Sequence, residues 1–453
     1  MIKEKFILPV RDIISRLYLS AYYPVLVGAL VFFGHAFGIE LYLGGINIVL
    51  TSLGLLLTGR ARPLIFFTVS FAYQISRTNS PGIPNPSDYY FSSWRLPVFI
   101  TLVALFLISV LVYSVRSRLF ENARLLTPLL LPLSLLSSAF ILNGAFSDRW
   151  SAKSLVFGIL EVLCFSVIFI FFYLALLHEK AGLVDYLVYC LAAVAVVICL
   201  EVLWCYIVTD NPAKENIVFG WGIWNTAGVS LTILLPALLY GFAVRDRRYL
   251  PVFTLTFLCA MLTQSRNAQL FGILITVLSL LAFVLYGKRR AFACFSLVLA
   301  AFAAVLIFLA LGDLAAEFLI RFFDDNGRIK LWRMGIENFL SAPIFGVGFF
   351  GADFGTFFTA DFLPTMAHNT FIQLLSSMGL YGLFAYLFYR VATLVPFIKK
   401  HSFSKTMLGL CCLVFLLESL LDNFVFFFLP TLQYTVILAS IYATDTAGRK
   451  NYL

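Results

Sequence analysis

Four short stretches of this 453-residue sequence hold polar side chains of types that can do chemistry. The first is Thr263-Gln264-Ser265-Arg266-Asn267, a polar turn between two apolar runs. An arginine there stays charged and presents a planar fork of donors that suits phosphate oxygens. It reads equally as an interfacial arginine reaching for lipid headgroups. The second is Ala367-His368-Asn369-Thr370, just before another apolar run. The proton of a histidine moves near neutral pH, so His368 can act as a general base. The same four residues also read as a helix cap through Asn369 or Thr370. The third is Asp324-Asp325-Asn326-Gly327-Arg328, followed by Lys330, Trp332 and Arg333. Its acids suit a divalent cation or a plain turn, and its bases lie on an amphipathic helix that reads otherwise as a headgroup-facing stripe. The fourth is Glu418 with Asp422, one helical turn apart near the end of an apolar run. They suit a sugar hydroxyl, the positioning of an arginine, or a structural ion pair.

The elements that must position these residues are membrane helices. Hydrophobic residues make up 61% of the chain and charged residues 12%, with a mean hydropathy of +0.95. A soluble domain carries about a quarter charged residues. The composition excludes a secreted enzyme, a nucleic-acid-binding domain and a disulfide scaffold. The apolar residues fall in runs of about twenty, the length that crosses a bilayer core. About fourteen such runs lie near 20–38, 40–58, 62–77, 94–114, 125–144, 154–178, 184–208, 226–244, 250–264, 268–287, 292–311, 370–389, 405–423 and 425–443. The expected fold is therefore an all-α, polytopic integral membrane protein of about 12–14 spans. We read residues 1–453 as a single polytopic membrane domain, with a large extracytoplasmic loop over 312–368.

Sidedness follows from charge, because Lys and Arg accumulate in cytoplasmic loops. With the N-terminus inside and the runs alternating, most of the 32 Lys and Arg fall inside, including Arg245-Asp246-Arg247-Arg248 and Lys288-Arg289-Arg290. The C-terminus is then also inside. The net charge of +9 is thus topological and implies no nucleic-acid partner. The outer face receives Lys214, Arg266, Arg321, Arg328 and His368. Its largest segment, 312–368, contains two amphipathic stretches and the glycine-rich PIFGVGFFGADFG. A structured loop of that size on one face usually carries function.

In order and spacing, residues 220–390 resemble the O-antigen ligase and polymerase family of bacterial membrane glycosyltransferases. Three features carry the resemblance: Thr263-Gln264-Ser265-Arg266 between two spans; Arg328 with Trp332, then Pro343, Gly346 and Gly348; and His368-Asn369 followed by Gly379 and Gly382. The resemblance implies a donor glycan on undecaprenyl diphosphate and a glycan or lipid acceptor, at the outer face of the bacterial cytoplasmic membrane. It implies His368 as the base and Arg266 as the cation facing the diphosphate, with Arg328, Trp332 and Asn369 in substrate binding. It also implies metal-independent, inverting transfer with no cofactor, so Asp324 and Asp325 need not be ligands.

One departure stands out. Family ligases often carry a further arginine in the outer segment where this chain has only Lys214, and lysine lacks the bidentate fork. Either Lys214, Arg321 or Arg328 then completes the clamp, or the donor is held differently. The imidazole of His368 and the guanidinium of Arg266 are expected within about 10 Å of each other. The competing reading is a transporter or flippase of lipid-linked glycans. It predicts charged residues at span centres, where Glu161 and Glu201 are the ambiguous cases.

Overall fold

The structure is a computed structural model. It describes residues 12–70, 95–179, 182–208, 218–219, 222–310, 327–352, 354, 364, 366–399 and 402–450. The sequence predicts helices wherever apolar runs are long enough to hide their backbone polar groups, because a bilayer offers those groups no water. A helix occupies every one of the fourteen runs. In chain order they are α1 (Tyr22–Phe37), α2 (Glu40–Thr58), α3 (Arg62–Val69), α4 (Arg95–Arg116), α5 (Thr127–Ile141), α6 (Ala152–Leu177), α7 (Leu183–Val208), α8 (Trp224–Val244), α9 (Tyr249–Leu262) and α10 (Arg266–Tyr286). Then follow α11 (Arg290–Ala310), α12 (Arg328–Ser341), α13 (Thr370–Lys399), α14 (Phe403–Leu421) and α15 (Phe428–Lys450).

Among the described residues, 8 helices are long and apolar enough to cross a membrane, or up to 9 if the bent pair Asp12–Tyr18 and Tyr22–Phe37 is one span. Left-handed Gly38 and Gly59 close α1 and α2, and α9 ends at Leu262 before the polar turn. The only described strands are Val218–Phe219 and Gly222–Ile223, a two-residue antiparallel pair. Residues 78–93 and 312–326, with Arg321, Asp324 and Asp325, lie outside the described residues, as does Lys214.

The chain forms two compact units. The first comprises Met1–Leu125, Phe169–Gly272 and Phe428–Leu453. Its centre is α8, which is almost wholly buried, whereas α4 is mostly exposed. α8 packs against α7, α9 and α15. At one end, where the sequence puts the cytoplasmic turns, Glu179 accepts from the Ala61 N–H (3.1 Å) and from Arg62 Nε (2.9 Å). Asp185 pairs with Arg245 at the same set of turns. Each buried or half-buried acid there has a cation, as a low-dielectric setting requires.

The second unit comprises Leu126–Ile168 and Ile273–Phe427. Its distinctive feature is a break in α13 at Gly379 (φ 64°, ψ −161°), a conformation essentially confined to glycine. The break would strand four backbone groups, and the PIFGVG stretch satisfies them. Val347 N–H donates to the Ser376 carbonyl (2.9 Å) and Gly348 N–H to that of Ser377 (3.0 Å). In return Leu380 N–H donates to Pro343 (2.9 Å) and Tyr381 N–H to Ile344 (3.1 Å). A Cβ on Gly379 would stand 2.4 Å from the Ile344 carbonyl, and one on Gly346 2.3 Å from the Ser377 backbone. The loop is thus spliced into the helix. The same loop reaches the turn before α6, where Asn143 Oδ1 accepts from Phe349 N–H (3.2 Å) and Ser154 Oγ from Phe350 N–H (3.0 Å). α12 lies on α13 through Gly335, whose missing side chain makes room for Ile372.

Candidate functional site

Two turns of the second unit meet at one end. One is the entry to α13. Asn369 caps this helix, its Oδ1 accepting from the N–H groups of Phe371 (2.9 Å) and Ile372 (3.1 Å). Its Nδ2 donates to the Leu420 carbonyl (2.9 Å). Asn369 therefore serves as the cap that its position before α13 suggests, with both ends of its amide engaged. The residue before it, His368, is held in the left-handed region at φ 51°. A side chain adopts that conformation only where surrounding contacts hold it.

The other turn is the exit from α14. The chain leaves the helix in an extended conformation at Asp422 (φ −151°, ψ 174°). This turns the carboxylate inward, where it is buried, towards His368. His368 Nδ1 donates to Asp422 Oδ1 at 2.9 Å, and the Asn423 backbone N–H donates to the same oxygen at 2.8 Å. Thr370 Oγ1 donates to the Asp422 backbone carbonyl (3.4 Å). An ionised carboxylate only accepts, so Nδ1 carries the proton and the lone pair is left on Nε2. The His368 side chain is 40% exposed and that of Asp422 4%. The ring is thus fixed on its inner edge and open to an incoming group.

Electrostatics follow the geometry. For His368, burial acts to depress the pKa, but the charge and hydrogen bond of Asp422 outweigh it, against a smaller lowering by Arg328. The net shift is upward from the ordinary histidine value. For Asp422, burial acts to raise the pKa. The charge and hydrogen bond of His368, the Asn423 N–H and the charge of Arg328 overcome that and hold the carboxyl below its usual range. Arg328 therefore acts on both members of the pair. It is half-buried and is the first residue of α12, after left-handed Gly327 (φ 76°). Trp332 follows one turn later, half-buried, with its indole N–H buried and lacking an acceptor among the described residues.

The sequence offered Asp422, with Glu418, for a sugar hydroxyl, the positioning of an arginine or a structural ion pair. The structure pairs it with a histidine. The signal was present in part: an acid closes the run that ends at the same turn region as His368. Its distance along the chain hid the pairing.

Arg266 belongs to the first unit and is likewise the first residue of its helix, α10. Ser265 Oγ accepts from the Ala268 N–H (3.5 Å), and Gln264 before it is left-handed (φ 55°). Tyr206, unnoticed in the sequence, holds this turn: its hydroxyl donates to the Leu262 carbonyl (2.6 Å) and accepts from Gln264 Nε2 (3.1 Å). Thr263, Ser265 and Asn267 are buried, and Arg266 is half-buried. Arg266 lies in the first unit and His368 in the second. Of the two mid-span acids, Glu201 has a partner in His35 Nδ1 at 2.6 Å, whereas the buried Glu161 carboxylate has no hydrogen-bond partner among the described residues.

No curated protein matches the chain. A family model does: residues 251–387 match the one described as O-antigen ligase. The matched stretch holds Arg266, Arg328, Trp332, His368, Asn369 and the spliced glycines, and stops short of Asp422. The match supports lipid-linked glycan transfer in surface-polysaccharide biosynthesis by a multi-pass membrane protein. Over residues 251–387 the chain is thus similar to the O-antigen ligase family.

Proposed function

We propose that this protein transfers a glycan from undecaprenyl diphosphate to a hydroxyl of a glycan or lipid acceptor, at the outer face of the bacterial cytoplasmic membrane, as a ligase or a polymerase. The observation that carries the reading is the His368–Asp422 pair, with an open Nε2 and a half-buried arginine in electrostatic reach. His368 Nε2 takes the proton of the acceptor hydroxyl as its oxygen attacks the anomeric carbon. A new C–O bond forms on the face opposite the leaving group, so the configuration inverts. The bond from the anomeric carbon to the diphosphate oxygen breaks, and its electron pair leaves on the diphosphate.

That charge needs cations. Arg266 and Arg328 each stand at the first residue of a helix, where free N–H groups and the helix dipole add to the guanidinium charge. We assign Arg266 to the donor diphosphate, with Arg328 supporting and Lys214 and Arg321 as further cations of the clamp. Trp332 is assigned to the sugar, and no metal takes part.

The test is turnover by the purified protein in lipid, given a lipid-linked oligosaccharide and an acceptor. Release of undecaprenyl diphosphate with formation of the joined glycan is expected. His368→Ala and Arg266→Ala should each lose at least about a hundredfold in rate, the scale of a lost general base or oxyanion partner. Full turnover in either variant removes the role assigned to that residue.

A further inference from the structure

The two halves of the His368–Asp422 pair come from segments 54 residues apart, and one of them sits in a strained left-handed turn. Something must hold these segments in register. Gln373, one turn into α13, touches both. Its Oε1 accepts from the Ala367 backbone N–H at 2.8 Å and from Asn423 Nδ2 at 2.9 Å. Ala367 immediately precedes His368, and Asn423 immediately follows Asp422. Its Nε2 donates to Ser377 Oγ at 2.9 Å, which fixes the orientation of the amide. The Gln373 side chain is wholly buried, as are Ala367, Asn423 and Ser377. These atoms are shielded from solvent, so a lost acceptor leaves the Ala367 N–H unsatisfied and Asn423 Nδ2 with only the weak acceptor Met366 Sδ (3.3 Å).

We propose that Gln373 is a positioning residue that clamps the turns bearing His368 and Asp422 into one rigid pair. This rests on the reading of His368 as the general base. Gln373 touches no reacting atom; it acts by setting how closely the carboxylate meets the ring. Loosening the clamp weakens the contact with Asp422, and the remaining influences on His368, burial and Arg328, both favour the neutral ring. Asp422, from the end of α14, and Arg328, from the start of α12, are the charged groups acting on His368 among the described residues.

The experiment follows the protonation of His368 directly, in the full-length protein in lipid. Diethyl pyrocarbonate modifies neutral imidazole, and peptide mass spectrometry resolves His368 from His35, His178 and His401. In the parent protein the modification rate of His368 should rise at a pH above the ordinary histidine range. In Gln373→Met, which keeps the volume and removes the hydrogen bonds, the rise should move to or below that range. Turnover should fall about tenfold with the acceptor KM little changed, as for other supporting residues of a reactive group. Gln373→Glu restores an acceptor for Ala367 and Asn423 and should return the titration to the parent position or higher. If Gln373→Met does not fold, Ser377→Ala, which frees only the far end of the amide, should show the same shift at smaller size. An unchanged His368 titration in folded Gln373→Met and Ser377→Ala overturns the proposal. Full turnover in His368→Ala would instead overturn the catalytic reading, while the modification experiment would still report on the clamp.

Discussion

At the scale of single residues, the chemistry rests on how a carboxylate and an imidazole share a proton. Asp422 fixes the tautomer of His368 and raises its basicity. On the proposed role of His368 as the base, the neutral ring is the active form, so turnover should climb as pH rises through a value above about 6.5. Asp422→Asn removes the raising influence and leaves burial and Arg328, so the acid limb should shift to lower pH while the plateau rate falls. A pH–rate profile of the two proteins checks both effects, and an unmoved limb would remove Asp422 from the mechanism. The pair also makes folding stability depend on pH. The raised histidine contributes fully below about pH 6.5 and loses its contribution as pH rises through its folded pKa. The lowered carboxyl contributes above about pH 4 and loses its contribution as pH falls through its folded pKa. The stabilisation lost in Asp422→Asn should therefore be greatest between those values, as read by thermal melts in lipid across pH.

At the scale of elements, the site depends on a helix that is broken by design. The turn carrying His368 opens the short first segment of α13, and that segment ends at Gly379. The splice of residues 343–348 into the break holds the segment in place. Gly379→Ala places a methyl 2.4 Å from the Ile344 carbonyl in addition to its backbone strain. A loss of about 2–3 kcal/mol is expected, accompanied by lost turnover. Gly59→Ala is the control. It shares a left-handed φ of 62° but meets nothing within 4 Å, so it should cost only about 1 kcal/mol. Equal thermal shifts in the two variants would show that the splice adds nothing beyond local strain. Within the same unit, Arg390 is buried among the rings of Tyr386 (4.5 Å), Tyr389 (5.4 Å), Phe165 (5.5 Å) and Phe415 (6.0 Å). These ring faces attract a cation that the bilayer would otherwise penalise.

At the scale of the whole molecule, function requires a defined sidedness. The basic turns expected inside include Arg247, and the turn expected outside includes Asp148; both residues are exposed. A membrane-impermeant maleimide applied to intact cells should label Asp148→Cys and not Arg247→Cys, above the background of the parent's own cysteines. The reverse pattern would put the His368 turn on the cytoplasmic side and end the assignment to the outer face. Turnover should also survive removal of divalent cations by EDTA, because the cations assigned to the diphosphate are arginines. Abolition by EDTA and rescue by Mg²⁺ would require a metal in the step.

The sequence alone determined the membrane class, the positions of the helical runs and the candidate identities of Arg266, Arg328 and His368. These depend on local chemistry: an apolar run must become a helix in lipid, and charge sets the side on which each turn lies. Only the tertiary structure could decide that Asp422 pairs with His368, that Asn369 is a cap, and that Gln373 joins both turns. It also showed that the glycines of PIFGVG and Gly379 answer each other across a broken helix. Such hydrogen bonds join residues far apart in the chain, and neither composition nor spacing encodes which distant donor will meet which acceptor.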